Sequence, residues 1–122
     1  MATLDNSAAV TIAASDDAWL HVRAEGPLSW DSHAKLAEAL DMEMGYEWRN
    51  RSLILDLNGV SFIDSSGISS LLTLVRELEQ HGSRLILCDV PPLIDKTFRL
   101  VRLSKMIPIT NDASAARAII EG

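Results

Sequence analysis

The chain of 122 residues has a single cysteine, no surplus of basic residues and no long hydrophobic run. One thiol cannot close an internal disulfide or build a thiolate cluster, and the place of Cys88 inside the apolar run "RLILCDV" marks it as a small buried hydrophobe. Lys and Arg total 11 against 17 Asp and Glu, a formal net charge of −6. That balance argues against the basic face with which a nucleic-acid binder displaces counterions from phosphates, and suits a protein partner. No stretch approaches the roughly 20 apolar residues of a membrane span. The opening "MATLDNSAAV" also lacks the basic-then-apolar order of a secretory leader. No membrane insertion is expected, and the cytoplasm is the expected compartment. Equally absent are the phosphate cradles G-x-x-x-x-G-K-[ST] and G-x-G-x-x-G, the nucleophile elbow G-x-S-x-G, and any linear Cys/His/carboxylate spacing of a familiar metal site.

What is present is a hydrophobic content of 48%, enough at this length for one domain with its own core. "AVTIAA" and "AWLHVRAEG", parted by the turn-like "SDD", read as a hairpin with Leu20 and Val22 facing inward. The period then changes: Leu36, Ala37, Leu40 and Met44 recur at helical spacing, with Ser29 or Asp31 as N-cap. "SLILDL" has the continuous apolar pattern of a central strand, and "NGVSFIDSSG" reads as the loop after it. Ile68, Leu71, Leu72, Val75 and Leu78 then define the apolar stripe of a helix that ends near His81-Gly82, Gly82 supplying the C-terminal cap. A second buried strand follows in "RLILCDV". Next come a proline-led helix that groups Ile94, Phe98 and Val101, a short strand "MIPI", and a last helix capped by Asp112. Strands separated by helices imply parallel crossovers, with the hairpin as an antiparallel edge.

The stretch "FIDSSGISSLL" carries the functional question, because it places Asp64, Ser65, Ser66 and Gly67 between a strand pattern and a helix pattern. A serine hydrolase would need a histidine base with its own orienting group. His21 falls in mid-strand, His33 in the first turn of a helix and His81 at a helix C-terminus, all settings of structural or solvated histidines. A phosphoaccepting receiver domain fails on order: Asp16-Asp17 lie in the hairpin turn rather than after a first parallel strand, and Lys105 precedes "MIPI". Two readings of the loop stay open. Asp64 or Ser65 caps the helix while Gly67 eases the turn. Alternatively, the serines stand where unpaired N–H groups and the dipole of a helix N-terminus welcome a phosphate.

The run "LILDLNGVSFIDSSGISSLLTLVRELEQHGSRLILCDV", the Pro-led helix, "LVRLSKMIPI" and the alanine-rich last helix together resemble the STAS domain of anti-sigma factor antagonists. Asp64-Ser65-Ser66-Gly67 is the most specific part. The resemblance implies an α/β fold: one STAS domain over residues 1–122 with its core from about residue 8 to 120, and a mixed sheet of about five strands packed mainly on one face by helices. It further implies a partner-switching protein rather than an enzyme. Ser65 would accept phosphate from a serine kinase of the GHKL ATPase type that is also the anti-sigma factor, and a serine phosphatase would reset the switch. The unphosphorylated form would capture the kinase and release its client. Asp64, Ser66, Gly67, Ser69, Thr73 and Arg76 are the expected partner-binding residues, with Glu77 on the same side of the helix. No cofactor is expected, since the kinase holds the ATP, and the protein is expected to be monomeric on its own. One departure is that Gly26-Pro27-Leu28-Ser29 stands where the family often has "GELD", without its two acidic residues. The same resemblance allows a different role, a non-switching adaptor in a stress-signalling or lipid-transport complex.

Overall fold

Alternation of side chains along the strands builds the molecule. The computed structural model describes residues 9–122. Its five strands are β1 (Ala9–Ser15), β2 (Trp19–Leu28), β3 (Ser52–Ile63), β4 (Leu85–Cys88) and β5 (Ile109–Thr110). They lie in one sheet in chain order, with β1 antiparallel to β2 and every other pair parallel. Four helices complete it: α1 (Ser32–Met44), α2 (Ser65–Glu79), α3 (Pro92–Leu100) and α4 (Ala113–Glu121). The mixed α/β sheet of five strands is as the sequence pattern implies.

Leu20, Val22 and Ala24 of β2, Leu53, Leu55 and Leu57 of β3, and Leu85 and Leu87 of β4 point to the face covered by α1, α2 and α3. There they meet Leu36, Leu40, Leu74, Leu78, Ile94 and Phe98. The alternate residues Trp19, Ile54, Ile86 and Cys88 form a smaller cluster on the opposite face with Ala116 of α4. Three helices thus share one face, and the last takes the other. The hairpin turn is held by Asp16, whose Oδ1 accepts from the N–H groups of Ala18 (2.7 Å) and Trp19 (3.0 Å).

The sequence reading needs correction in four places. "NGVSF" is not a loop: β3 runs on to Ile63, and the expected turn at Asn58-Gly59 is absorbed by a β-bulge, where the pairing steps from Arg23↔Asp56 to Glu25↔Gly59. The stripe of α2 is rotated. Gly67, Ser70, Leu71, Leu74 and Leu78 are buried, whereas Ile68, Leu72 and Val75 are only partly so. Val101 is 46% exposed and does not join Ile94 and Phe98. Finally, the last strand is Ile109–Thr110, and Met106 lies outside it, exposed. Asp31 does occupy the cap position of α1 but caps no backbone N–H; its carboxylate accepts instead from the Ser29 hydroxyl (3.1 Å) and pairs with Lys35 of α1 (3.3 Å).

Arg49, 5% exposed, fastens the helical layer. Its guanidinium donates to Asp41 of α1 (2.5 Å) and to Glu77 of α2 (2.6 Å), and lies over the rings of Tyr46 and Trp48. Glu77 is therefore committed to the fold rather than free on the surface. The rotation of α2 has a measurable consequence. Leu74→Ala removes a fully buried side chain and is expected to cost about 2–5 kcal/mol, whereas Leu72→Ala at the partly exposed position costs well under half of that. Urea unfolding with an unchanged slope checks the difference, and equal costs would contradict the observed rotation.

Candidate functional site: the start of helix α2

Strand β3 ends at Ile63 and helix α2 begins at Ser65, so a single residue, Asp64, makes the turn. Its backbone is extended (φ −117°, ψ −175°), as an N-cap requires, and its Oδ1 accepts from the Gly67 N–H at 2.9 Å. The same oxygen accepts from the Ser66 hydroxyl at 2.6 Å. These two bonds, the hydroxyl first, hold the Asp64 carboxyl below its ordinary value of 3.8. Of the two capping candidates the structure selects Asp64.

The four serines that follow, Ser65, Ser66, Ser69 and Ser70, have different fates. The hydroxyl of Ser66 is tied to the cap. Ser70 is buried, and its oxygen accepts from the His33 backbone N–H and meets His33 Nδ1, both at 2.7 Å. A Ser–His contact of that length could suggest a nucleophile. However, Ser70 is 3% exposed and its oxygen serves the first turn of α1, so the pair is a strut between α1 and α2. Ser65 and Ser69 are exposed, and no hydrogen bond ties either side chain to any described residue; of the two, only Ser65 opens the helix.

Gly67 explains how the helix start is placed. A Cβ at this position would stand 2.5 Å from the Leu28 carbonyl oxygen and 2.7 Å from Ile63 Cγ1. The end of β2 therefore abuts the first turn of α2 backbone to backbone, an approach open only to glycine. The Gly26-Pro27-Leu28-Ser29 stretch, singled out for its missing acids, supplies this contact.

Along the helix, Ser69, Thr73 and Arg76 follow Ser65 on one side. Thr73 donates its hydroxyl to the Ser69 carbonyl (3.0 Å), and Arg76 Nη2 reaches Thr73 Oγ1 at 3.5 Å. Ser69 and Arg76 are exposed, while Thr73 and Glu77 are half-buried. The structure thus gathers Asp64, Ser65, Ser66, Ser69, Thr73 and Arg76 at one end and side of α2, and removes Glu77 from the free surface. Two residues escaped sequence reasoning. Trp30 (72% exposed) follows the Leu28 segment that abuts Gly67, and Phe62 (58% exposed) precedes the cap by two residues. Trp30 was legible as a large apolar residue in a polar connection, and Phe62 as one near the end of a stretch that reads as a loop but is strand β3.

A cleft of about 610 Å³ opens elsewhere, lined by Asn58, Asp89, Asp95, Arg99, Thr110 and Asn111 among others, none of them from the start of α2. Its one cation, Arg99, is paired with Asp95 at 2.8 Å, which leaves the cleft without free positive charge for an anion.

Comparison with known proteins fits this arrangement. The family profile described as the STAS domain matches residues 9–116. The chain belongs to the STAS domain family. An anti-sigma F factor antagonist of Paenibacillus polymyxa is 28% identical over 103 residues, spanning 84% of this chain and 86% of the relative. Among solved structures, an anti-sigma factor antagonist from Mycobacterium paratuberculosis superposes with a TM-score of 0.74 at 17% identity, over 99% of this chain and all of that one. The Bacillus cell fate determinant SpoIIAA in its phosphorylated form does so with a TM-score of 0.59 at 21% identity, covering 91% and 99%. At such identities the solved structures show a common fold. No helix among the described residues is long and apolar enough to cross a membrane.

Two outcomes test the geometry. Gly67→Ala drives a methyl group into backbone and is expected to destabilise the protein by about 1–3 kcal/mol, read from its denaturation midpoint. The depressed Asp64 carboxyl stabilises the fold above its unfolded value, and the contribution is lost as pH falls through the lower folded value. The stability difference between wild type and Asp64→Ala is therefore expected to be constant near neutral pH and to shrink below about pH 4. Melting curves across pH check the sign, and a difference that grows in acid would contradict the cap.

Proposed function

We propose that this protein is a partner-switching anti-sigma factor antagonist in which Ser65 accepts the phosphate. The observation that carries the reading is the division of labour at the start of α2. Asp64 and Ser66 are committed to each other, Ser70 is buried against His33, and Ser65 presents an unengaged hydroxyl at the first position of a 15-residue helix. Membership of the STAS family and similarity to a curated anti-sigma F factor antagonist support it.

In this reading the chain is a substrate and binding module rather than a catalyst. A serine kinase of the GHKL ATPase type, itself the anti-sigma factor, docks over Ser65 and along Ser69, Thr73 and Arg76, with Asp64, Ser66 and Gly67 setting the height of the acceptor. Trp30 and Phe62 add apolar area at the edge of that surface. The kinase brings its own ATP, and a serine phosphatase returns the hydroxyl. Added phosphate stands at a helix N-terminus, where unpaired N–H groups and the dipole favour an anion, so the free domain keeps its fold. In the complex, the same dianion must shed water beside the Asp64 carboxylate. Desolvation and like-charge repulsion then cost about 3 kcal/mol or more.

Phosphopeptide mapping with the cognate kinase and Mg-ATP is expected to place the label on Ser65, and Ser65→Ala to abolish it. Label on Ser66 or Ser69 would refute the assignment. Phosphorylation is expected to weaken kinase binding by about 100-fold or more, with Ser65→Asp weakening it less and the melting temperature nearly unchanged. Tight binding by the phosphorylated form would favour a non-switching adaptor. Arg76→Glu is expected to weaken binding without unfolding the domain, and unchanged affinity there would exclude this side of α2.

A further inference from the structure

Far from Ser65, on the face of the sheet that carries α4, strand pairing brings together three side chains that are metal ligands by type. Asp56 of β3 is the direct neighbour of Cys88 on β4 and of Arg23 on β2. His21 lies one pleat earlier on β2. Exposures are 8% for His21, 6% for Asp56 and 0% for Cys88. One ligand atom from each lies within 4.8 Å of the other two.

His21 Nε2 is buried with no hydrogen-bond partner among the described residues. It stands 3.7 Å from Asp56 Oδ2, beyond hydrogen-bond reach. The orientation of the carboxylate is fixed from its other oxygen, since Asp56 Oδ1 accepts from the Asn58 N–H at 2.9 Å. Leaving a buried ring nitrogen unpaired is costly, and the gap to Oδ2 is close to that between two ligands of one ion. Atoms held about 2.1 Å from a tetrahedral metal stand about 3.4 Å apart.

The charges around the cluster favour a cation. Besides Asp56, the carboxylates of Asp89 and Asp112 act on Cys88. The nearest cation is Arg23, whose Nε lies 3.5 Å from Asp56 Oδ2. Its side chain is 57% exposed and can turn out to solvent without disturbing the core.

We propose that His21, Asp56 and Cys88 form a site for a divalent transition metal of the Zn²⁺ class. Imidazole nitrogen, carboxylate oxygen and thiolate are the donors this borderline ion accepts, whereas Mg²⁺ and Ca²⁺ favour oxygen alone. On binding, the Cys88 S–H bond breaks, its proton passes to the buffer and the sulfur lone pair goes to the metal. His21 donates from Nε2 and Asp56 from Oδ2, with water at the remaining position. The bound ion would cross-link β2, β3 and β4.

Cobalt titration of the full chain, stripped with a chelator and reduced with a phosphine, tests the proposal. Co²⁺ is expected to saturate at one equivalent, with visible bands of tetrahedral strength and a thiolate-to-metal charge-transfer band in the near ultraviolet, both bleached by Zn²⁺. Cys88→Ser should remove the charge-transfer band, and His21→Ala should weaken Co²⁺ by at least about 10-fold. Zn²⁺ should raise the melting temperature of wild type but not of Cys88→Ser. Uptake without the charge-transfer band, as on surface imidazoles, would overturn the proposal, and so would undiminished affinity in a folded His21→Ala. Because Cys88 is the only thiol in the chain, the wild-type spectrum is decisive even where a variant does not fold.

Discussion

The parallel pairing of β2 with β3 is the constraint from which the rest of the structure follows. It runs from Trp19↔Ser52 to Leu28↔Ile63, interrupted by two register shifts. The hairpin strand β1 hangs on one side of this pair, and β4 with β5 on the other. The far end and the centre of the long pairing are both put to use. At the far end, Leu28 and Ile63 lie side by side, so the residue that leaves β3 turns directly into α2 beside the backbone of β2. At the centre, the pleat sends Leu53, Leu55 and Leu57 to the three-helix face, and Ile54 and Asp56 to the face of α4.

Two kinds of burial meet in that frame. The helical layer rests on aliphatic packing, but it is oriented by polar contacts: Arg49 joins α1 to α2 through Asp41 and Glu77, and Ser70 meets His33 at the start of α1. A helix can rotate about its axis at little cost to apolar burial when its apolar residues come in doublets, as Leu71-Leu72 and Leu74-Val75 do. The small residues Gly67 and Ser70 settle the rotation, because only they admit the close approach of β2 and α1.

This explains what could be read from the sequence. The order and type of the elements follow from local patterns, and so do the cap at Asp112 and the choice of Asp64 or Ser65 for α2, since each cap acts within four residues. The inward set of Leu20 and Val22 was legible for the same reason. The continuation of β3 was not, because Asn58-Gly59 is a turn signal and only the partner strand turns it into a bulge. Glu77 looked like a surface residue because a helical period says nothing about the neighbour that Arg49 provides. The His21, Asp56 and Cys88 cluster joins positions more than 30 residues apart, so no linear spacing could announce it.

Gly67 has a further implication for recognition. Where a phosphorylatable or docking segment is a loose loop, a partner must order it, and each immobilised residue detracts from affinity. Here α2 is seated on the β2 backbone with no side chain between them, and its cap is closed before any partner arrives. Little conformational entropy remains to be lost at the first turn. If Ser65 is the acceptor, as proposed above, discrimination between its neutral and charged forms would rest on the charge itself, because the scaffold beneath it does not yield.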